Sequence, residues 1–301
     1  VQVGALVAGG GITGSALMRY LAEAGMKPVL INHDRGSSWR NIAGGRPNFS
    51  VPELSEIARQ NHEIFRELQK LGETNYREIK YVTFAHDDAM MSQLEASLAW
   101  SDGEIVLPEN YAAKIAPGIN PDLKKKYQAA LVTNDCWQAT PGKVIDLVRH
   151  LGVNAGGIVE EDSTVTAVSR NGNTYTVLVQ NHRGEYVEYE TPVFVNAMGA
   201  NGEEFARSLG LFTGTYGVRH QAFITRRLPM MGPGNTPLPM LIDRRHYKGF
   251  VAVYGQQLGE TGQIIGCASP AFDPAETGRN LKINSRDFME IVSEVFTSWL
   301  P

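Results

Sequence analysis

The N-terminus carries a run that few folds accommodate: Val3-Gly4-Ala5-Leu6-Val7-Ala8, then Gly9-Gly10-Gly11-Ile12-Thr13-Gly14, then a stretch with helical spacing. An apolar segment bounded by glycines fits a strand buried on both faces of a parallel sheet. From Ser15 to Ala24 the apolar positions Ala16, Leu17, Tyr20, Leu21 and Ala24 recur as on one helix face, and Gly25 stands where a left-handed C-terminal cap is wanted. Lys27-Pro28-Val29-Leu30-Ile31 reads as a second strand, which completes a βαβ unit of about 30 residues. Each glycine of Gly9-x-Gly11-x-x-Gly14 then has a mechanical task. The first permits the tight turn, the second lets backbone approach a pyrophosphate, and the third lets helix and strand pack closely. The helix N-terminus adds unpaired N–H groups and a positive dipole end. A lone GxGxxG is weak; framed by strand, helix and strand it predicts a dinucleotide held by Gly9, Gly11, Ile12, Thr13 and Gly14.

An acidic residue is expected at the end of the second strand to bind a ribose diol. Asn32 stands there, followed by His33 and Asp34. An amide both donates and accepts, so the contact survives in weaker form; Asp34 either substitutes for it or merely starts a loop. On this reading Asn32→Asp or Asn32→Glu preserves or tightens binding.

The 301 residues and 43% hydrophobic content allow one large or two ordinary domains with a proper core. A formal net charge of -4 gives no electrostatic footprint for nucleic acid or an anionic membrane. Cys136 and Cys267 are the two cysteines, far apart in sequence, so the chain offers neither a disulfide framework nor a CxxC metal site, and both read as buried thiols. No metal site is expected. No apolar run approaches the ~20 residues of a membrane span, and the opening lacks the basic region and cleavage site of a signal peptide. The expectation is a soluble, cytoplasmic protein.

A Gly/Ser/Arg/Asn-rich loop runs from Asp34 to Asn48. Ser50 and Glu53 then have capping-box spacing ahead of a helix whose stripe is Leu54, Ile57, Asn61, Ile64, Phe65, Leu68 and Leu71. Lys80 to Ala85 reads as a strand, Ala89 to Trp100 as a helix, and Thr140-Pro141 opens a helix through Leu151. Beyond Ser163 the pattern changes to strands: Thr164 to Val168, Tyr175 to Gln180, Tyr186 to Tyr189 and Val193 to Asn196, with turn signals at Asn171-Gly172 and Arg183-Gly184. Gly217 to Thr225, Met240 to Asp243, Phe250 to Tyr254 and Gln263 to Cys267 supply more, and Phe288 to Leu300 reads as a closing amphipathic helix. No internal repeat or low-complexity linker divides the chain.

Val7 to Asn32, the loop Gly36-Ser37-Ser38-Trp39-Arg40-Asn41-Ile42-Ala43-Gly44-Gly45 and the later Val193-Phe194-Val195-Asn196-Ala197-Met198-Gly199-Ala200 together resemble the D-amino-acid oxidase superfamily of FAD-dependent oxidoreductases, which includes glycine oxidase, sarcosine oxidase and D-amino-acid dehydrogenase. The order of motifs continues through Trp137-Gln138-Ala139-Thr140-Pro141, Thr164-Val165-Thr166-Ala167-Val168, Val218-Arg219-His220-Gln221 and Gly262-Gln263-Ile264-Ile265-Gly266, so the resemblance spans nearly the whole chain. It implies an α/β fold: a Rossmann-like FAD-binding domain from residues 1–80 and 140–215, and a substrate domain of mainly antiparallel sheet plus helices from 81–139 and 216–301.

The resemblance further implies that Gly9, Gly11 and Gly14 hold the FAD pyrophosphate, that Asn32 and His33 meet the adenosine ribose, and that Val165 meets the adenine through its backbone. Ser38, Ala43, Gly44 and Gly45 pass near pyrophosphate and flavin, Arg40 and Arg46 neutralise phosphate or cap the flavin, and Ala197 and Gly199 form a second backbone approach. No histidine lies between Gly36 and Gly45, where some relatives attach flavin covalently, so non-covalent FAD is expected. A tyrosine that often binds substrate in relatives is replaced by Phe250, with Tyr247 and Tyr254 nearby. Relatives also continue past the point where this chain ends at Trp299-Leu300-Pro301, with a segment that covers the isoalloxazine. The expectation is thus a piece of a longer protein whose 301 residues lack a complete active site and end near an open face.

In such chemistry the flavin accepts a hydride from a carbon bearing an amine or hydroxyl, and no acid–base residue is strictly required, so no catalytic residue is assigned. A substrate carboxylate calls for a guanidinium. Arg219, Arg244 and Arg245 are candidates, with His220 and His246 beside two of them. Three functions stay open: oxidation of an amino acid or secondary amine, with oxygen or a quinone as acceptor; oxidation of a 2-hydroxy acid or glycerol 3-phosphate; and a non-catalytic FAD-binding subunit. A homo-oligomer or a partner subunit fits each.

Overall fold

The computed structural model describes residues 1–49, 51–270 and 286–301. In chain order the elements of the first half are β1 (Ala5–Ala8), α1 (Ile12–Glu23), β2 (Pro28–Ile31), β3 (Gly44–Gly45), α2 (Pro52–Leu71), β4 (Arg77–Ala85), α3 (Asp88–Ser97), β5 (Gly103–Val106), α4 (Tyr111–Lys114), β6 (Ala129–Gln138) and α5 (Pro141–Asn154). There follow β7 (Ile158–Glu160), β8 (Thr164–Asn171), β9 (Thr174–Gln180), β10 (Tyr186–Thr191), β11 (Phe194–Asn196), α6 (Gly202–Ser208), β12 (Gln221–Arg227), β13 (Met240–Asp243), β14 (Phe250–Gln257), β15 (Gln263–Pro270) and α7 (Arg286–Trp299). Among the described residues no helix is long and apolar enough to cross a membrane.

Two compact units form. The first comprises Val1–Asn41, Leu71–Thr74 and Thr140–Val218. Its parallel sheet has the order β11-β1-β2-β7, with Leu6 beside both Val29 and Phe194. All four residues of β1 are buried, as the unbroken apolar run requires. Side-chain alternation sends Val7 and Leu30 toward Met18 of α1, and sends Leu6, Ala8, Val29 and Ile31 toward Val165, Val177 and Val179 of the separate antiparallel sheet β10-β9-β8. The glycines expected at its two hairpin turns, Gly172 and Gly184, have φ of 58° and 79°. The buried face of α1 is Gly14, Ser15, Met18 and Ala22. It is rotated from the expected stripe, and Tyr20 is exposed.

The second unit comprises Ile42–Lys70, Asn75–Ala139 and Arg219–Pro301. The chain enters it after Asn41 rather than near residue 80, because β3, α2 and β4 are built into or onto its sheet. That sheet runs β12-β15-β14-β13-β4-β6-β3, with β5 on β6. It is antiparallel except where β13 lies parallel to β4. One face packs Phe84, Val132, Leu241 and Val253 against Tyr111, Phe288, Ile291, Val295 and Trp299, so α7 is core rather than rim. Trp299 is fully buried, and its carbonyl accepts the Asn120 N–H at 2.8 Å. The other face gathers Tyr81, Cys136, Met240, Ile242 and Tyr254 with Ile42. A register shift between Phe250 and Ala252 moves Phe250 to the side of Val253, where it packs near Phe288.

Helix α2 departs from its expected stripe. Ser55, Ala58, His62 and Leu68 are buried, while Leu54 and Ile57 stay about half exposed. The reason is His62, which stacks on Trp137 with ring centroids 4.4 Å apart and shares a 2.8 Å hydrogen bond with the Tyr76 hydroxyl. Ser55 meanwhile exchanges hydrogen bonds with the Phe49 backbone. The expected cap Ser50 lies outside the described residues. Cys136 and Cys267 are free, buried thiols, and burial pushes Cys136 up to about 12.

Candidate functional site

In the first unit the carboxyl ends of β1, β2 and β11 converge on the glycine turn. Gly9 has φ of 110°, donates its N–H to the Ile31 carbonyl at 2.9 Å, and a Cβ on it would strike the Ala197 carbonyl. Ala197 in turn donates to the Ala8 carbonyl at 2.8 Å, and Gly199 follows with φ of 56°. A Cβ on Gly14 would overlap the Gly9 carbonyl oxygen and crowd Leu30. Gly11 is the extended N-cap of α1, where a Cβ would meet Ser38 Oγ at 2.9 Å. Ser38 Oγ accepts the Ile12 N–H at 3.1 Å. Gly9, Gly11, Ile12, Thr13, Gly14, Ser38, Ala197 and Gly199 thus surround one turn. It has no acidic residue in the first helical turn, backbone leaves no room for a Cβ on Gly9 or Gly14, and the first N–H groups of α1 have no intrahelical acceptor. A pyrophosphate fits such a cradle.

Beside it, Asn32 is buried and donates from Nδ2 to Glu161 Oε2 at 2.5 Å. Arg149 Nη1 holds the other Glu161 oxygen at 2.5 Å, while the same guanidinium reaches Ser15 Oγ at 3.1 Å and the Gly10 carbonyl, and lies 4.8 Å from the Trp39 ring centroid. Burial lowers the Arg149 pKa, and the Glu161 carboxylate opposes that shift. Sequence reasoning missed Glu161 and Arg149; neither carries a motif, and only strand pairing brings them to Asn32. His33 Nδ1 shares a 2.8 Å hydrogen bond with Thr164 Oγ1. Val165 is a core residue of β8, paired with Val179, and Arg40, exposed, donates to the Gly36 carbonyl at 3.0 Å.

Ala43, Gly44 and Gly45 fall in the second unit. Ala43 has φ of 66°, and its carbonyl accepts the Ala139 N–H at 3.0 Å; Gly44 and Gly45 pair with Gln138 and Trp137. A Cβ on Gly44 would run into the Tyr81 hydroxyl, and one on Gly45 into the Trp137 ring. Gln256 donates to the Ile42 carbonyl at 2.7 Å, and its buried Oε1 has no partner among the described residues. Near this face lies Arg46, which donates to Asn48 and sits 4.4 Å from the Phe49 ring centroid. Burial lowers its pKa. Arg244 is lowered by desolvation and then by the like charge of Arg46. Arg244 is exposed to solvent, and Arg46 is half-buried. No carboxylate among the described residues pairs with either guanidinium.

The other substrate candidates have different tasks. Asp243, fully buried, accepts from the Tyr127 hydroxyl at 2.5 Å, from the Tyr247 hydroxyl at 2.7 Å, and from Arg245 Nε and Nη2 at 3.0 and 2.7 Å. Burial alone would raise its pKa, but these donors outweigh it and hold the carboxyl below its ordinary value. Trp299 Nε1 closes the network on Tyr127 at 3.1 Å. Arg245 and Tyr247 thus both engage Asp243, while Phe250 packs against the core. His220 lies 3.9 Å from Cys267 Sγ and is lowered by burial. Tyr254, on the Tyr81 face, accepts from Ser269 Oγ at 3.2 Å.

The family described as FAD dependent oxidoreductase (DAO) matches residues 5–298. The chain belongs to that family. It is an FAD-dependent oxidoreductase. No curated protein matches the sequence at a significant level. Among solved structures, the chain is similar to L-proline dehydrogenase from P. horikoshii (21% identity, TM-score 0.78, all of this chain and 77% of that one). It is also similar to glycine oxidase from Geobacillus kaustophilus (13% identity, TM-score 0.81, all of this chain and 78% of that one). A third is L-alpha-glycerophosphate oxidase from Mycoplasma pneumoniae with FAD bound (14%, TM-score 0.76, all of this chain and 79% of that one). At these identities the likeness is one of fold.

Proposed function

We propose that this oxidoreductase acts on the C–N bond of an amino acid, or of a secondary amine bearing a carboxylate, with FAD held non-covalently. The observation that carries this reading is the pair Arg46 and Arg244: two guanidinium groups on one side of the mixed sheet, both lowered by desolvation, with no carboxylate partner among the described residues. Two neighbouring like charges repel each other, and an anion bound by both guanidinium groups relieves that repulsion. Gly9, Gly11, Ile12, Thr13, Gly14, Ser38, Ala197 and Gly199 hold the FAD pyrophosphate on this reading, and Asn32 and His33 face the adenosine half. Bound FAD supplies the hydride acceptor. The chain's own residues bind, orient and exclude water: the arginines fix the substrate's carboxylate, and Tyr81, Met240, Ile242 and Tyr254 give an apolar floor that favours the neutral amine.

Proline dehydrogenase and glycine oxidase among the similar structures are named for amino acids, which agrees with this reading. A phosphate or a 2-hydroxy acid would meet the same cations, so the test compares them. Flavin reduction is followed anaerobically with amino acids, their decarboxylated amines, 2-hydroxy acids and glycerol 3-phosphate. Arg244→Met is expected to raise KM for the carboxylated amine roughly 10- to 100-fold, the value of about 1.5–3 kcal/mol of charge-assisted hydrogen bonding, and to leave the decarboxylated amine unaffected. Reduction by glycerol 3-phosphate alone, or equal effects on both amines, overturns the reading.

A further inference from the structure

We propose that Glu161 supplies the carboxylate that binds the ribose diol of the adenosine half of FAD, a task that the end of β2 leaves to a neutral residue. The inference rests on the reading above that the Gly9–Gly14 turn holds the pyrophosphate.

Strand β7 runs parallel to β2 with Ile31 beside Glu160, and the Asn32 N–H continues the ladder onto the Glu160 carbonyl at 2.9 Å. Glu161 therefore reaches the same carboxyl edge of the sheet as Asn32, one strand further out. Asn32 Nδ2 and Arg149 Nη1 each hold one of its oxygens at 2.5 Å. Arg149 is itself anchored by Gly10, Ser15 and the Trp39 ring. The carboxylate is thus fixed in place before any ligand arrives. Each oxygen accepts more than one hydrogen bond, so both keep capacity for a hydroxyl. Half of the Glu161 side chain remains open to solvent, whereas Arg149 is only 11% exposed. A carboxylate present solely to neutralise Arg149 would have no reason to stand open at the edge where dinucleotide folds place the ribose.

The arrangement also accounts for the amide at position 32. Asn32 Oδ1 lies against Gly10 while its Nδ2 faces Glu161, so an acidic residue there would set two carboxylates against each other. The acid has moved one strand outward, and the amide orients it.

The test is a thermodynamic cycle between protein and ligand, read as equilibrium binding to apoprotein by flavin fluorescence. Wild type should bind FAD roughly 10- to 100-fold more tightly than its 2′-deoxyadenosine analogue. Glu161→Gln should weaken FAD by a similar factor and abolish the preference between the two flavins. Glu161→Asp, which keeps the charge on a shorter arm, should retain part of the preference and guards against a folding defect in Glu161→Gln. Arg149→Met should weaken both flavins. A deoxy penalty that persists undiminished in Glu161→Gln overturns the proposal, as does a wild type that binds both flavins equally. If instead Gly11→Val binds FAD as wild type does, the reading of the turn itself has failed.

Discussion

In the first unit the groups that can meet a phosphate come from one short stretch, Gly9 to Gly14, and need only Ser38 and Ala197 brought to them. In the second, the pair proposed to hold an anion is Arg46 and Arg244, far apart in the chain and set by a mixed sheet in which β3, β6, β4 and β13 must all be in register. The first is a local device that backbone geometry guarantees once a strand enters a helix. The second is a product of packing and exists only if distant strands find one another. Local devices leave motifs in a sequence; packed ones leave scattered residues that gain meaning after folding.

That contrast breaks most visibly at Asp243. Asp243→Ala leaves Arg245 without its carboxylate and two hydroxyls without their acceptor, at a cost of about 3–5 kcal/mol. A lowered midpoint of urea unfolding checks it, and an unchanged midpoint would mean that the network is ornamental. The carboxyl is held below its ordinary value, so its share of stability is full above an unfolded-state pKa of about 3.9 and is lost as pH falls through the depressed folded value. Wild type should therefore lose this share only in acid below about pH 4, and Asp243→Ala should lack that part of the transition.

Next in size is Gly11→Val, which drives a branched side chain into the space beside Ser38 Oγ. Wild-type flavin should be released intact by acid, since no histidine in the loop can tether it. The variant should retain FAD at least about a hundredfold less well, or about 2.7 kcal/mol, with its far-ultraviolet circular dichroism preserved. Wild-type stoichiometry in the variant would move the phosphate site elsewhere.

The smallest effect expected is from Asn32→Asp, and it reverses the reading drawn from sequence alone. With Glu161 2.5 Å from the amide, a carboxylate at position 32 should weaken FAD about tenfold, or 1.4 kcal/mol, in titrations of the apoprotein at neutral pH. The loss should shrink as pH falls and one carboxyl is protonated. Tighter binding would show that the two side chains separate.

The βαβ unit, the hairpins at Gly172 and Gly184 and the final helix were legible because periodicity and turn chemistry act over a few residues. Strand β6 was not: Ala129–Gln138 is buried from Ala129 to Thr133 and again from Cys136 to Gln138, interrupted at Asn134 and Asp135, so it shows neither alternation nor a clean apolar run. Its character comes from serving β4, β5 and β3 together. Helix α2 misled for a related reason. Its hydrophobic stripe is real, but the stack of His62 on Trp137 turns the helix so that Ser55, Ala58 and His62 are buried beside Leu68 and the Leu54 edge faces out. At the site, Arg244 and Arg245 were equal candidates in sequence. Only the position of Asp243 separates them, because it engages Arg245 and not Arg244.

The pairing of Leu6 with Phe194 places the inner edge of the parallel sheet across nearly two-thirds of the chain. On a ribosome, β1 emerges early and must wait for β11 while the intervening segments of the second unit appear between them. Closing so long a loop precedes any contact that rewards it, which slows folding and leaves an apolar strand edge unpaired in the meantime. Nascent chains of this protein should therefore be most vulnerable to aggregation, and most dependent on chaperones, before residue 196 clears the exit tunnel.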